Sequence, residues 1–304
     1  MKHYEKYKKF KTNFILKYKN NLSRNSNQKI LDSFISIDDF LAVEMSKGPD
    51  EPAGNIFYFY QSIRNIFNFF TILINHYKFD EILCIPKIVI KWKKYIDMVY
   101  VVFIFDDDEL IIPKKFKKKI KQCIETDIRF IYFTFTISYS DSELTHVNMI
   151  IIDLYKNTIE RFEPYGFINE YEEKKINDVI KNRLLGILEL EDFKYLNPLD
   201  ISPKIGPQKK IDAYNGMCVT YTMLYLQLRL MNPDIIQKQL VNYLVKMNKK
   251  NLINLVLRYA KFIELTLKNN EYQIFENNKY ISKKWIKKQE YIISSKEKNF
   301  IKKL

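Results

Sequence analysis

The 304-residue sequence is poor in the residues that interrupt regular structure, with only 6 glycines and 9 prolines. Flexible linkers are rich in glycine, so this scarcity predicts one large domain, or a main domain with a helical appendage. No apolar run reaches the roughly 18 residues that a membrane-spanning helix requires. We therefore expect no membrane span.

Cysteine is also scarce, with three residues at Cys84, Cys123 and Cys218. They lie far apart in the sequence and cannot all pair with one another. The N-terminus is charged and lacks the apolar segment of a signal peptide. These features predict an intracellular protein with reduced cysteines. Each cysteine would then either pack in the core or take part in a reaction.

Positive charge is abundant: the net charge is +14, and basic runs occupy residues 1–21, 113–122 and 283–304. Such runs can bind DNA or another polyanion. The alternative is a solvated basic surface that reflects the lysine codons of an AT-rich genome. No zinc-finger, RNP-type or helix-turn-helix pattern accompanies the charge, and no metal or cofactor is predicted.

The order of the patterns predicts an α+β fold with two regions. Residues 1–80 combine a basic arm with helical spacing over 27–46 and 56–78. Residues 81–304 begin with β-branched and aromatic runs, which predict a mixed, mainly antiparallel central sheet. Helical patterns follow over 171–190, from Cys218 onwards, and over about 233–248 and 250–268. The predicted sheet is therefore flanked by helices, and Asn232-Pro233 is the expected start of the penultimate helix.

A predicted hairpin brings together two residues that can exchange a proton. "HVNMIIIDLY" and "NTIERFEP" are strand patterns, joined by a turn over "DLYKNT". An antiparallel hairpin returns Glu163, after the second strand, to His146, near the start of the first. A carboxylate there would fix the histidine tautomer and stabilise the imidazolium. Asp153 is a competing acid, but it lies at the turn end, so we expect Asp153→Asn to do little.

Cys218 begins the apolar run "CVTYTMLYLQLRLM", which predicts a buried helix. One interpretation makes Cys218 a small core residue. The other makes it a nucleophile, because the dipole at a helix N-terminus favours a thiolate and His146 would accept the proton. Gly216 would allow a tight approach loop.

These segments resemble the adenovirus protease and SUMO-protease superfamily of cysteine peptidases, in the style of large DNA viruses. "FEPYG" is close to the adenovirus-type acid segment, and the order His, acid, Gln, Cys agrees. The resemblance implies that Cys218 is the nucleophile, His146 the general base and Glu163 the residue that orients it. Gln208 would donate to the oxyanion through its side-chain amide, together with the backbone N–H of Cys218.

The sequence departs from that family in two places. Val147 stands where the family often has Trp. Gln208 lies further before Cys218 than the family's glutamine, and Ile211 and Asp212 occupy the usual positions. Neither of these two side chains can donate as a glutamine would.

The resemblance implies a thiol protease that cuts after Gly-Gly, in viral polyproteins during virion maturation or in ubiquitin-like or SUMO-like conjugates. Its partner would be a protein substrate with a Gly-Gly site, and its location the host cytoplasm or the virion. The alternative is a non-catalytic basic core protein, or one associated with nucleic acid, that retains the protease fold.

Overall fold

The computed structural model describes residues 34–44, 82–90, 95–98, 100–139, 145–211, 217–269 and 291–292. The predicted basic arm, the predicted helix over 56–78 and nearly all of the basic run over 283–304 lie outside these residues. So does the segment 212–216, which contains Gly216.

The centre of the molecule is an eight-stranded sheet. Its strands are β1 Leu83–Cys84, β4 Tyr100–Ile104, β5 Glu109–Pro113, β6 Phe130–Ser138, β7 Thr145–Asp153, β8 Thr158–Phe162, β9 Lys194–Leu196 and β10 Tyr291–Ile292. They follow the order β10-β5-β4-β6-β7-β8-β9, and β1 pairs with β6 beside β4. Parallel and antiparallel pairs both occur. A separate antiparallel pair is formed by β2 Lys87–Ile90 and β3 Tyr95–Met98.

The helices complete the predicted α+β architecture. They are α1 Ile37–Glu44, α2 Phe116–Ile124, α3 Glu170–Val179, α4 Leu185–Leu188, α5 Pro198–Ile201, α6 Pro207–Ile211, α7 Cys218–Met231, α8 Gln237–Lys246 and α9 Lys249–Asn269. A π-helical turn over Ile180–Leu184 joins α3 to α4. The fold class predicted from the sequence, a mixed sheet flanked by helices, is confirmed.

Both faces of the central sheet are covered at β6, so neither face of this strand meets solvent. All nine residues of β6 are buried. Phe130 and Tyr132 face a core that also contains α1, α7, α8 and α9 residues. Ile131 and Phe133 face a second core with α2, α3 and α4. Because α7 lies against the sheet beneath other helices, all 14 of its residues are buried, as its apolar pattern predicts.

The N-terminal region joins the same core through α1. The Phe40 ring packs edge-on against Phe262 of α9, with ring centroids 5.3 Å apart. The predicted boundary near residue 80 stays a prediction.

The prediction that a helix begins at Asn232-Pro233 is wrong, because α8 begins at Gln237. Asn232 instead ends α7, where its backbone N–H donates to Leu228. Its buried side chain accepts from the N–H of Ile35 at 2.8 Å and donates to the carbonyl of Ile35 at 2.9 Å. The side chain thus ties the α1 segment to the end of α7. The predicted loop before Cys218 also contains two short helices, α5 and α6.

The prediction of a fully reduced chain is also wrong, because Cys84 and Cys123 form a disulfide. The two residues are 39 positions apart in sequence, but their Cα atoms are 5.8 Å apart. β1 pairs with β6, and α2 packs on the same side of the sheet, so the fold closes this separation. Among the described residues, no helix is long and apolar enough to cross a membrane.

Counting thiols tests the disulfide. In protein purified without reductant and then denatured, we expect one reactive thiol, that of Cys218, and three after reduction. Closing a loop of 39 residues contributes about 3–4 kcal/mol to stability by the chain-entropy model. Cys84→Ala with Cys123→Ala should lower the free energy of unfolding by about that amount. Three reactive thiols before reduction would contradict the pairing.

Candidate active site

The predicted hairpin forms with the expected geometry. β7 and β8 pair antiparallel from Met149 opposite Phe162 to Asp153 opposite Thr158. Asn157 adopts a left-handed φ of 49° in the turn between them, a conformation that asparagine tolerates. Glu163 follows the last residue of β8, and His146 is the second residue of β7. The two side chains therefore meet at the open end of the hairpin.

His146 and Glu163 form a short, direct contact. Nε2 of His146 lies 2.5 Å from Oε1 of Glu163. The Glu163 carboxylate is fully buried and also accepts the backbone N–H of Tyr165 at 2.8 Å. The His146 ring and the Tyr165 backbone therefore both hold the carboxylate. Because Nε2 of His146 makes this contact, Nδ1 is the ring nitrogen that remains for another partner.

Burial and charge act in opposite directions on this pair. Burial lowers the pKa of His146, but the Glu163 carboxylate and the neighbouring Cys218 side chain raise it, and the resulting pKa is about 10. For Glu163, burial raises the pKa, while the charges of His146 and Arg161 lower it, and the net shift is downward. The pair is therefore an imidazolium beside a carboxylate at neutral pH.

Cys218 completes this group from the opposite element. It is the first residue of α7, it is 5% exposed, and it is not part of a disulfide. Its side chain lies near enough to the ring of His146 to raise the pKa of that histidine. Cys218 also belongs to the core that surrounds α7, so it is both packed and placed beside a titratable ring.

Gln208 is held beside the acid by backbone contacts. Its N–H donates to the carbonyl of Pro164 at 3.0 Å, and the side chain is 4% exposed. The described residues provide no hydrogen-bond partner for its Oε1. Ile211, at one of the family's usual glutamine positions, is buried in the core, and Asp212 lies outside the described residues.

Two glycines lock the acid segment to the segment that carries Gln208. Gly206 donates its N–H to Tyr165 at 2.8 Å. Gly166 has a φ of 86°, which disfavours any side chain. A Cβ at Gly206 would lie 2.3 Å from the carbonyl oxygen of Pro164, so the approach requires glycine there. Local sequence patterns did not predict this contact.

Charged contacts attach α7 to the far end of the hairpin. Nε of Arg229 lies 3.0 Å from Oε1 of Glu160, and its Nη2 lies 3.2 Å from Oδ2 of Asp153. Arg129 contacts the same Asp153 carboxylate through two nitrogens, each at 3.2 Å. All four side chains are largely or fully buried.

A ring stack attaches the middle of α7 to the end of β8. Phe162 of β8 stacks on Tyr225 of α7, with centroids 4.1 Å apart and planes at 7°. The helix therefore meets the hairpin at three levels, and Cys218 lies at the level of His146.

The structure places Asp153 far from His146, as expected, at the opposite end of β7. The expectation that Asp153→Asn does little to catalysis stays a prediction, while the fold should be affected, because this carboxylate pairs with two buried arginines. The role of Val147 is structural, since it is 3% exposed and packs in the α7 core. Among the described residues, no cluster of three or more candidate metal ligands occurs.

No protein-family model matches the sequence. An ankyrin repeat protein of Acanthamoeba polyphaga mimivirus is 29% identical over 178 residues, which make up 51% of this chain and 23% of that protein. The match thus spans less than a quarter of the relative.

Two solved structures are similar in part. Both are the SUMO protease Ulp1, one with its catalytic cysteine oxidized to a sulfenic acid and one to a sulfonic acid. Their TM-scores are 0.31 and 0.30, at 12% and 14% identity. The alignments cover 79% and 80% of this chain, and 98% and 93% of theirs.

The charge of the His146–Glu163 pair predicts an unusual titration. Because the folded pKa of His146 is raised to about 10 from 6.5, we expect NMR of the ring to show an imidazolium at pH 8. The stabilisation from this pairing is complete below about pH 6.5 and is lost as the pH rises through about 10. Glu163→Gln should lower the pH at which the ring loses its proton. An unchanged titration in that variant would contradict the pairing.

The buried network predicts a stability cost at Asp153. Asp153→Asn removes the charge that faces two buried arginines, and breaking such pairs costs about 3–5 kcal/mol. Chemical denaturation measures this loss. Asp108→Asn is the matched control, because Asp108 forms a half-exposed pair with Arg183 and should cost less than about 1 kcal/mol. Equal effects from the two substitutions would show that the network does not stabilise the fold.

Proposed function

We propose that this chain is a cysteine peptidase of the adenovirus-protease and SUMO-protease type. The observation that carries the proposal is the position of His146, whose Nε2 contacts Glu163 at 2.5 Å and whose pKa is also raised by the neighbouring Cys218. A buried thiol at a helix start, a histidine with a raised pKa and a buried carboxylate form the arrangement that thiol nucleophiles use.

In the proposed reaction, the Cys218 thiolate attacks the carbonyl carbon of the scissile bond. The negative charge moves to the carbonyl oxygen, where the side-chain amide of Gln208 and the backbone N–H of Cys218 donate to it. The C–N bond then breaks, the His146 imidazolium gives its proton to the leaving amine, and a thioester forms on Cys218.

Hydrolysis of the thioester completes the proposed cycle. Neutral His146 takes a proton from water, and the resulting hydroxide attacks the thioester carbonyl. The C–S bond breaks, the thiolate returns, and the acid product leaves. Glu163 stays ionised throughout and stabilises the imidazolium, which is why a buried, hydrogen-bonded carboxylate suits the position.

The proposed substrates carry Gly-Gly before the scissile bond, either in a viral polyprotein or in a ubiquitin-like or SUMO-like conjugate. The family resemblance around "FEPYG" and Cys218 supports this class. The mimivirus origin of the matched relative supports a viral protein, active in the host cytoplasm or in the virion. The catalytic residues of the proposal are Cys218, His146 and Glu163, with Gln208 at the oxyanion.

Peptide cleavage tests this proposal. We expect the protein to hydrolyse a peptide with an internal Gly-Gly site, and Cys218→Ala to abolish the reaction without changing the circular dichroism spectrum. Glu163→Gln should retain more activity than His146→Ala, because a thiolate depends less on the third group than an alkoxide does. Cys84→Ala with Cys123→Ala is the control for the other cysteines and should retain cleavage. Cleavage that survives in Cys218→Ala would end the proposal.

A second candidate function is the binding of DNA or another polyanion. The observation that favours it is the lysine face of α2 and the residues before it, where the exposed lysines are Lys114, Lys115, Lys117, Lys118 and Lys121. The apolar side of the same helix is buried, so these charges point to solvent on one surface.

Salt dependence tests this second function. The logarithm of the affinity for duplex DNA should fall linearly with the logarithm of salt concentration, because bound counterions are released. Lys118→Glu with Lys121→Glu should reduce the slope by about 2, since each phosphate contact contributes about 0.9. Lys238→Glu, on an exposed position of α8, is the matched control. Binding that does not respond to salt would reject this function.

A further inference from the structure

A cleft lies beside His146 and is lined mainly by aromatic and apolar side chains. It measures about 220 Å³, and its lining residues are Tyr139, His146, Tyr165, Phe167, Ile168 and Lys209. The Tyr165 ring meets the His146 ring edge-on, with centroids 5.4 Å apart. Cys218 does not line this cleft.

The walls of the cleft are held by contacts outside it. The Tyr139 hydroxyl donates to Oε2 of Glu172 at 3.1 Å, and its ring packs against Phe105. On the other side, Phe167 donates its N–H to Lys204 at 3.0 Å, next to the close approach of Gly166 and Gly206. The pocket is therefore formed before any ligand arrives, which limits the ordering cost of binding.

The position of the cleft relative to the proposed chemistry assigns it to one side of the substrate. During cleavage the acyl part stays on Cys218, while the leaving amine receives its proton from His146. The residue that follows the scissile bond must therefore pass beside His146. A cleft that includes His146 and excludes Cys218 lies on that leaving side.

We infer that this cleft binds the side chain of the residue immediately after the scissile bond, and that it selects a large apolar side chain there. This inference rests on the proposed function. Aromatic and aliphatic walls favour apolar groups, because burying such a side chain removes its surface from water. Lys209, exposed at the rim, disfavours a cationic residue at the same position. The substrate is then a peptide bond followed by a large apolar residue, rather than an isopeptide bond to a lysine side chain.

Matched peptides test the assignment. All carry the same acyl part ending in Gly-Gly, followed by Phe, Leu, Gly, Lys or Asp, and a further substrate joins the same acyl part to a lysine side chain. A Gly-Gly ethyl ester, which has no residue after the scissile bond, reports on the nucleophile alone. We expect kcat/KM for Phe or Leu to exceed that for Gly by about tenfold or more, because the side chain gains burial.

Two substitutions assign that preference to the cleft. Phe167→Ala should reduce the ratio of kcat/KM for Phe over Gly to near unity. Tyr171→Ala is the matched control, because this tyrosine is 69% exposed and does not line the cleft, and it should keep the ratio. Lys209→Glu changes an exposed residue that does not endanger folding, and it should raise the ratio for Lys over Asp.

The outcomes separate the inference from the function on which it depends. If the ester is hydrolysed and all the peptides are cleaved at equal rates, the cleft assignment is overturned and the peptidase proposal stands. Faster cleavage of the isopeptide than of the Phe peptide would also overturn it. No hydrolysis of the ester or of any peptide would overturn both.

Discussion

The attachment of α7 to the β7–β8 hairpin is the constraint on which the candidate site depends. Arg229 with Glu160 and Asp153 fixes one end of the helix, and the stack of Phe162 on Tyr225 fixes its middle. The helix is rigid over its length. Its first residue, Cys218, is therefore held at the level of His146. Removing one partner from a buried ionic group of this kind leaves an uncompensated charge, so the group holds these elements in one arrangement.

A second constraint joins the acid to the predicted oxyanion residue. Gly166 and Gly206 approach too closely for side chains, so the backbone after Glu163 and the backbone before Gln208 form one unit. Burial alone would favour neutral forms of His146 and Glu163. Because each lies against the opposite charge, both remain ionised although the site is largely buried. The same unit supplies Tyr165 and Phe167 to the neighbouring cleft, so the candidate chemistry and the inferred selectivity share one scaffold.

Local patterns predicted much of this architecture. Period-2 alternation and a turn sequence were enough to predict the hairpin that pairs His146 with Glu163. The apolar run after Cys218 was enough to predict a buried helix. The disulfide between Cys84 and Cys123, the capping role of Asn232 and the arginine network at Asp153 were not predicted. Each depends on residues distant in sequence that meet only through sheet order and helix packing. Gly206 has no signature of its own, because only the partner backbone makes glycine necessary there.

The most direct test of the account is covalent labelling of the folded protein by an electrophilic Gly-Gly probe, with the modified residue identified by mass spectrometry. The account predicts that the probe labels Cys218 alone. It also predicts that His146→Ala slows labelling by about 100-fold or more, in line with the loss of the acid–base partner of Cys218, while the fold is retained. Labelling of Cys218 at the same rate in wild type and His146→Ala would contradict the claim that these two residues act as a catalytic pair.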